Sequence, residues 1–228
     1  MAPVKSQQNA KLFNRFSAED SITLLVGPSR QQFVVHGSQL KESSAFFAAA
    51  LEKQSPGGQQ RIMKLPDENP EMFVHYLNFT YDHSLSSGIA IPEPLVDCQE
   101  LEGHFFHLCK LYLVGERLLD DDIRNRIAEK LFELTQMVDS QDYSYYASAA
   151  EAKIIYGGTE AEAPMRRLLV DTVVASGREG WMDGEDLDPQ WLRDVAKGLL
   201  KAVNQHGELE DFRGKELTAK DYYIWTER

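Results

Sequence analysis

The chain has 228 residues, of which 43% are hydrophobic and 26% are charged, and its formal net charge is −12. This length suits one large domain or one ordinary domain with an appendage, and the composition is typical of a globular protein. The acidic residues are spread along the chain and the longest basic run is the pair Arg166–Arg167, so we expect no direct binding to nucleic acid or to an anionic membrane.

The cysteine content and the hydropathy pattern indicate a compartment. The two cysteines, Cys98 and Cys109, are too few for a disulfide framework in a chain of this length. We recognise no N-terminal signal segment, and no apolar run reaches the roughly 20 residues of a membrane span. We therefore expect a reducing environment, the cytoplasm, the nucleus or both.

Residues 1–19 form a polar stretch with one small apolar cluster, made of Leu12, Phe13 and Phe16. Their spacing fits one face of a short helix. An apolar patch on such an arm is a candidate surface for burial against a second copy of the chain.

A hairpin followed by short helices is predicted next. Residues 22–26 and 33–36 are rich in β-branched and apolar side chains, and the turn residues between them include Gly27. Residues 38–53 combine large apolar side chains with alanines, which favours short helices. Residues 61–65 alternate in polarity and predict a third strand.

Longer helices are predicted from Asn69 onward, where an N-cap residue is followed by a proline. A second helical pattern covers residues 105–118. The three carboxylates of residues 120–122 then suit a helix start, because the helix dipole stabilises negative charge there. The helix that follows has a clear apolar stripe, made of Ile123, Ile127, Leu131 and Leu134.

After residue 138 the pattern remains helical. Residues 159–162, from Thr159 to Glu162, predict a capping box, and Asp188 with the following proline predicts another helix start. We place Arg166 and Arg167 on a solvated helix face. Residues 206–228 are charged and predicted to be loosely ordered, with aromatic side chains near the end that can dock.

One spacing is specific: His36, Leu40, Ser44, Phe47 and Leu51 occur in the pattern H-x3-L-x3-S-x2-F-x3-L. Together with Asp20 before the first strand, they resemble the signature of the BTB/POZ family. The stretches 65–81 and 111–118 are similar to later segments of that family, and residues 144–173 resemble the helical tail of its fungal members. The resemblance covers residues 20–136.

The resemblance implies an α+β architecture, a three-stranded sheet with a hairpin that is covered by helical hairpins and followed by an all-helical extension. The implied organisation is an N-terminal arm at residues 1–19, a BTB/POZ domain at residues 20–137 and a helical extension at residues 138–228.

The same resemblance implies a non-catalytic protein–protein interaction protein that self-associates or recruits partners. The residues expected to mediate self-association are Leu12, Phe13, Phe16 and Leu40. An alternative function is that of a substrate adaptor for a cullin-based ubiquitin ligase, with contacts from Phe46, Phe47, Leu51 and Glu52. The chain departs from the family at Gly37, where many members have a basic residue, and it has no clear copy of the apolar-x-Glu motif of cullin binders.

A small-ligand or metal-binding protein is the alternative from another class. Cys98, His104, His107 and Cys109 are residue types that bind zinc, but their spacing matches neither half of the usual zinc motifs. No phosphate-binding or nucleophile motif accompanies them. We therefore predict no catalytic residue, no cofactor and no metal.

Overall fold

The computed structural model describes residues 20–53, 61–83, 85, 95–177, 186–206 and 218–224. These residues form a three-stranded mixed sheet and eight α-helices, which confirms the α+β class. None of the described helices has the length and apolar character needed to cross a bilayer. In chain order the elements are β1 Ser21–Val26, β2 Gln31–His36, α1 Gly37–Ser43, α2 Ala45–Glu52, β3 Arg61–Leu65, α3 Pro70–Asp82, a 3-10 helix Cys98–Leu101, α4 Glu102–Arg117, α5 Asp121–Thr135, α6 Ala149–Gly158, α7 Pro164–Ser176, α8 Pro189–His206 and a second 3-10 helix Ala219–Tyr222.

The described residues fall into two compact units. The first contains the residues up to His83 together with Arg117–Asp120, and the second contains the rest. Compact units need not coincide with the domains of a family, so the predicted domain bounds at residues 19 and 137 stay predictions.

The sheet of the first unit has the order β2-β1-β3, with β2 antiparallel and β3 parallel to β1. The predicted hairpin and third strand are therefore confirmed. Gly27 begins the hairpin turn with a φ of +74°, and a Cβ atom there would lie only 2.8 Å from the ring of Pro70. Only glycine meets both the backbone conformation and the close approach.

Local sequence explains why α3 begins where predicted. The side chain of Asn69 accepts hydrogen bonds from the backbone N–H groups of Glu71 and Met72, at 2.9 and 3.1 Å. Pro70 occupies the first helical position, where its missing N–H is not needed. In the same unit Arg117 forms a two-pronged ion pair with the buried Glu68, at 2.7 and 2.6 Å.

In the second unit the predicted helix start at Asp188 is confirmed, because its carboxylate accepts from the N–H groups of Gln190 and Trp191. The capping box predicted from Thr159 to Glu162 is wrong. Thr159 instead follows the last residue of α6, and α7 begins at residue 164, where a proline takes the first helical position.

The second unit also corrects the prediction for Arg166. Its side chain is buried, whereas Arg167 is exposed. The guanidinium donates to the carbonyls of Tyr156 and Thr159 and to the Thr159 hydroxyl, and it lies over the Tyr156 ring at 4.4 Å. It therefore satisfies the carbonyls that α6 leaves open at its C-terminal end.

Candidate interaction site

Asp20 and His36 fix the junction between the sheet and α1. The Asp20 carboxylate accepts from the N–H of Ser38 at 2.8 Å, and a Cβ on Gly37 would lie 3.2 Å from the same carboxylate. His36 ends β2, and its N–H donates to the Tyr81 hydroxyl at 2.9 Å. Glycine after the histidine thus allows the chain to pass close to Asp20.

Ser44 joins α1 to α2. Its hydroxyl accepts from the N–H of Phe47 at 3.1 Å and donates to the carbonyl of Leu118 at 2.5 Å. Leu40 and Phe47 have no exposed surface and Leu51 is 3% exposed. The signature spacing therefore describes an N-cap and three core side chains of one helix pair.

The residues that the sequence predicts as partner contacts differ in how far they are buried. Leu40, Phe47 and Leu51 are enclosed in a single copy of the chain, so a partner cannot touch them without opening the fold. Phe46 is half-buried and Glu52 is exposed, so both are accessible. The remaining candidates, Leu12, Phe13 and Phe16, lie outside the described residues.

Asp120 has a second role beside the helix start. It is fully buried and accepts a hydrogen bond from the Tyr76 hydroxyl at 3.0 Å, while α5 itself begins at Asp121. Burial, followed by the negative charge of Asp120, raises the pKa of Tyr76 well above its ordinary value. The tyrosine therefore remains a neutral donor to the carboxylate.

The outer face of the sheet carries an exposed apolar row. Thr23 on the central strand is paired in register with Val34 on β2 and with Ile62 on β3, so the three side chains share one face. Val34 is 66% exposed and Ile62 is 50% exposed, and they lie on either side of Thr23 on this face. We call Val34 and Ile62 the sheet row.

The residues of the metal-binding hypothesis do not form a common site in the described part of the chain. His104 and Cys109 are buried and His107 is partly buried, but they form no group of three ligand atoms among the described residues. Burial is the largest of the effects that raise the pKa of the Cys109 thiol. A thiol in such a place packs as an apolar side chain.

One cluster of potential ligands is present in the described part of the chain, formed by Asp97, Cys98 and Asp139. Asp139 accepts from the backbone N–H groups of Cys98, Gln141 and Tyr143, at 2.8 to 3.2 Å. These hydrogen bonds lower the pKa of the Asp139 carboxyl group, and the bond from Tyr143 has the largest effect. The cluster is explained by loop geometry.

A cleft of about 400 Å³ lies in the second unit, between α6, α7, α8 and the C-terminal 3-10 helix. Four cationic and four carboxylate side chains line it, so their formal charges balance. The charged residues are Arg166, Arg167, Lys197, Lys201, Glu162, Asp171, Asp194 and Asp221.

Compared with models of protein families, the chain matches none, and a search among curated proteins finds no match.

Proposed function

We propose that this chain is a non-catalytic protein–protein interaction protein of the BTB/POZ type that self-associates through its first unit. The proposal rests on the six signature residues together with the order of the elements around them. A hairpin leads through His36 into a helix pair capped at Ser44, and a strand parallel to β1 follows. A three-stranded sheet with a hairpin and covering helices is the architecture that the resemblance implies.

The observation that carries the proposal is the sheet row. Two large β-branched side chains remain in solvent on a face whose central residue, Thr23, is only 5% exposed. Burying such side chains against a partner stabilises a complex by about 25 cal/mol for each square ångström of apolar surface removed from water. A second copy of the chain is the partner we propose, with the arm cluster Leu12, Phe13 and Phe16 as the other part of the interface.

Light scattering on the full chain tests this proposal. We expect a mass of twice 25.9 kDa at micromolar concentration. A Val34→Lys, Ile62→Lys double variant is expected at the monomer mass, and so is a variant with serine at positions 12, 13 and 16. Val96→Lys is the matched control, because Val96 is 60% exposed but belongs to the second unit.

A wild-type mass of 25.9 kDa across the micromolar range would overturn self-association. A dimer that survives both sets of substitutions would overturn the proposed surface while leaving self-association in place.

The adaptor function is the second candidate, and the accessible pair Phe46 and Glu52 on α2 favours it. Aromatic side chains are frequent anchors at protein interfaces, and Phe46 is the accessible aromatic residue of the predicted contact set. We expect the full chain to co-elute with a purified cullin N-terminal domain, and a Phe46→Ala, Glu52→Lys variant to lose the complex. No co-elution of the wild-type chain would contradict the adaptor function.

A further inference from the structure

The C-terminal residues 218–224 lie against the second unit like a bound peptide. They pack on α5 and α7, and Asn125 on α5 is 99 residues away in sequence from its partner Ile224. We call the surface that receives them the docking groove, defined by Asn125, Phe132, Arg167 and Asp171.

The docking groove contacts mainly the backbone of the segment. The Asn125 side chain accepts from the N–H of Ile224 at 2.6 Å and donates to its carbonyl at 3.2 Å. Arg167 donates to the carbonyl of Asp221 at 2.9 Å. Hydrogen bonds to the peptide backbone fix its position and conformation and depend little on the identity of its side chains.

One side chain anchors the segment. Tyr222 is 4% exposed, its ring lies 6.0 Å from that of Phe132, and its hydroxyl donates to Asp171 at 3.0 Å. Burial, followed by the charge of Asp171, raises the pKa of the Tyr222 hydroxyl, which keeps it a donor. A buried tyrosine with a satisfied hydroxyl is a common anchor at interfaces.

The segment also holds its own shape. Asp221 accepts from the backbone N–H of Thr218 at 2.7 Å and from its hydroxyl at 3.1 Å, which closes the 3-10 turn. Lys220 lies in the same turn and is exposed. A short peptide with the same capped turn therefore loses little conformational freedom on binding.

We propose that the docking groove is a peptide-recognition site that accepts, from a partner protein, a short segment with a tyrosine whose neighbouring backbone groups pair with Asn125 and Arg167. The chain's own Asp221, Tyr222 and Ile224 occupy the groove as a tethered competitor. Residues 207–217 join the segment to α8 in the sequence, so a free peptide competes with a ligand that belongs to the same chain. The proposal concerns the second unit alone and does not depend on self-association of the first.

The test uses the full chain and a fluorescein-labelled peptide of residues 216–226, with fluorescence polarisation as the readout. Tyr222→Ala in the chain removes the anchor of the competitor and leaves the groove intact, so the peptide is expected to bind at least tenfold more tightly than to wild type. Adding Asn125→Ala to that variant is expected to weaken binding at least tenfold. Lys220→Ala is the matched control and is expected to behave as wild type.

The probe peptide carrying alanine in place of Tyr222 is expected not to bind. Where Tyr222→Ala changes the circular dichroism of the chain, Tyr222→Phe takes its place, because it keeps the ring and removes only the bond to Asp171; about threefold tighter peptide binding is then expected. Folded Tyr222 variants that bind the probe no better than wild type would overturn the proposal. Binding that survives Asn125→Ala would do the same.

Discussion

In the first unit, the residues with a recognisable spacing are mainly interior residues, whereas in the second unit the most specific contacts are made by residues that no motif marks. Leu40, Phe47 and Leu51 fill the core of a helix pair. Asn125 and Arg167 lie on helix surfaces and hold a distant segment of the chain.

The difference has a physical cause. A helix pair packed on a sheet needs large apolar side chains at fixed intervals. Its interior residues therefore form a periodic apolar pattern that is visible in the sequence. A docking surface needs only a few donors and acceptors, brought together from separate elements. A resemblance that is based on residue spacing therefore predicts the architecture of a protein better than it predicts the binding partners.

The largest effect is expected from substituting a signature residue inside the first unit. Phe47→Ala is expected to lower the free energy of unfolding by about 3–5 kcal/mol, since it removes a fully buried ring and leaves a cavity. Phe46→Ala, at the neighbouring half-buried position, is the control and should cost clearly less. Equal losses for the two variants in urea titrations would contradict an interior role for the signature.

The next effect is expected in the second unit, at the buried arginine. Arg166→Ala is expected to cost about 2–4 kcal/mol, because it leaves the carbonyls of Tyr156 and Thr159 without their donor. Arg167→Ala at the exposed neighbouring position should cost less than about 1 kcal/mol. Arg166→Lys should fail to restore stability, because a lysine cannot donate along the same fork. Full rescue by lysine would show that charge alone matters there.

A pH-dependent effect is expected at Glu151, which has no exposed surface and caps α6 through Ser148. Burial, the largest cause, raises its pKa above the ordinary value of 4.5. A raised pKa in the folded state means that its stabilising contribution is fully present below pH 4.5 and decreases as the pH rises through the folded-state pKa.

Unfolding titrations of wild type and Glu151→Gln across that pH range isolate this contribution. The stability of wild type relative to the variant should fall as the pH rises, by about 1.4 kcal/mol for each unit of pKa shift. A relative gain for wild type with rising pH would show that the hydrogen bonds from Ser148 and Tyr145 outweigh burial.

The smallest effect is expected at the cap between the two signature helices. Ser44→Ala is expected to cost about 1 kcal/mol, because the N–H of Phe47 loses its acceptor. Ser43→Ala is the control: the Ser43 hydroxyl bonds only within its own helix, to the carbonyl of Gln39. Indistinguishable midpoints for the two variants in thermal unfolding would exclude Ser44 as a stabilising cap.

Local features of the chain were predicted well. The hairpin, the third strand and the caps at Asn69 and Asp188 follow from turn residues, period and capping chemistry within a few positions. The error at Thr159 is instructive, since a serine-or-threonine pattern was preferred over the proline that begins α7. The carboxylate half of such a box forms at the start of α6, where Glu151 accepts a hydrogen bond from the backbone N–H of Ser148.

The amino-acid order alone was sufficient for the elements and for the α+β class, because propensity, capping and hydrophobic period act over a few neighbouring residues. Contacts between distant positions were inaccessible to it. Several features depend on how separate elements pack. They are the burial of Arg166 and Asp120, the exposure of Val34 and Ile62, and the hydrogen bond from Tyr222 to Asp171. A side chain's surroundings are set by residues up to 99 positions away, and no local pattern encodes them.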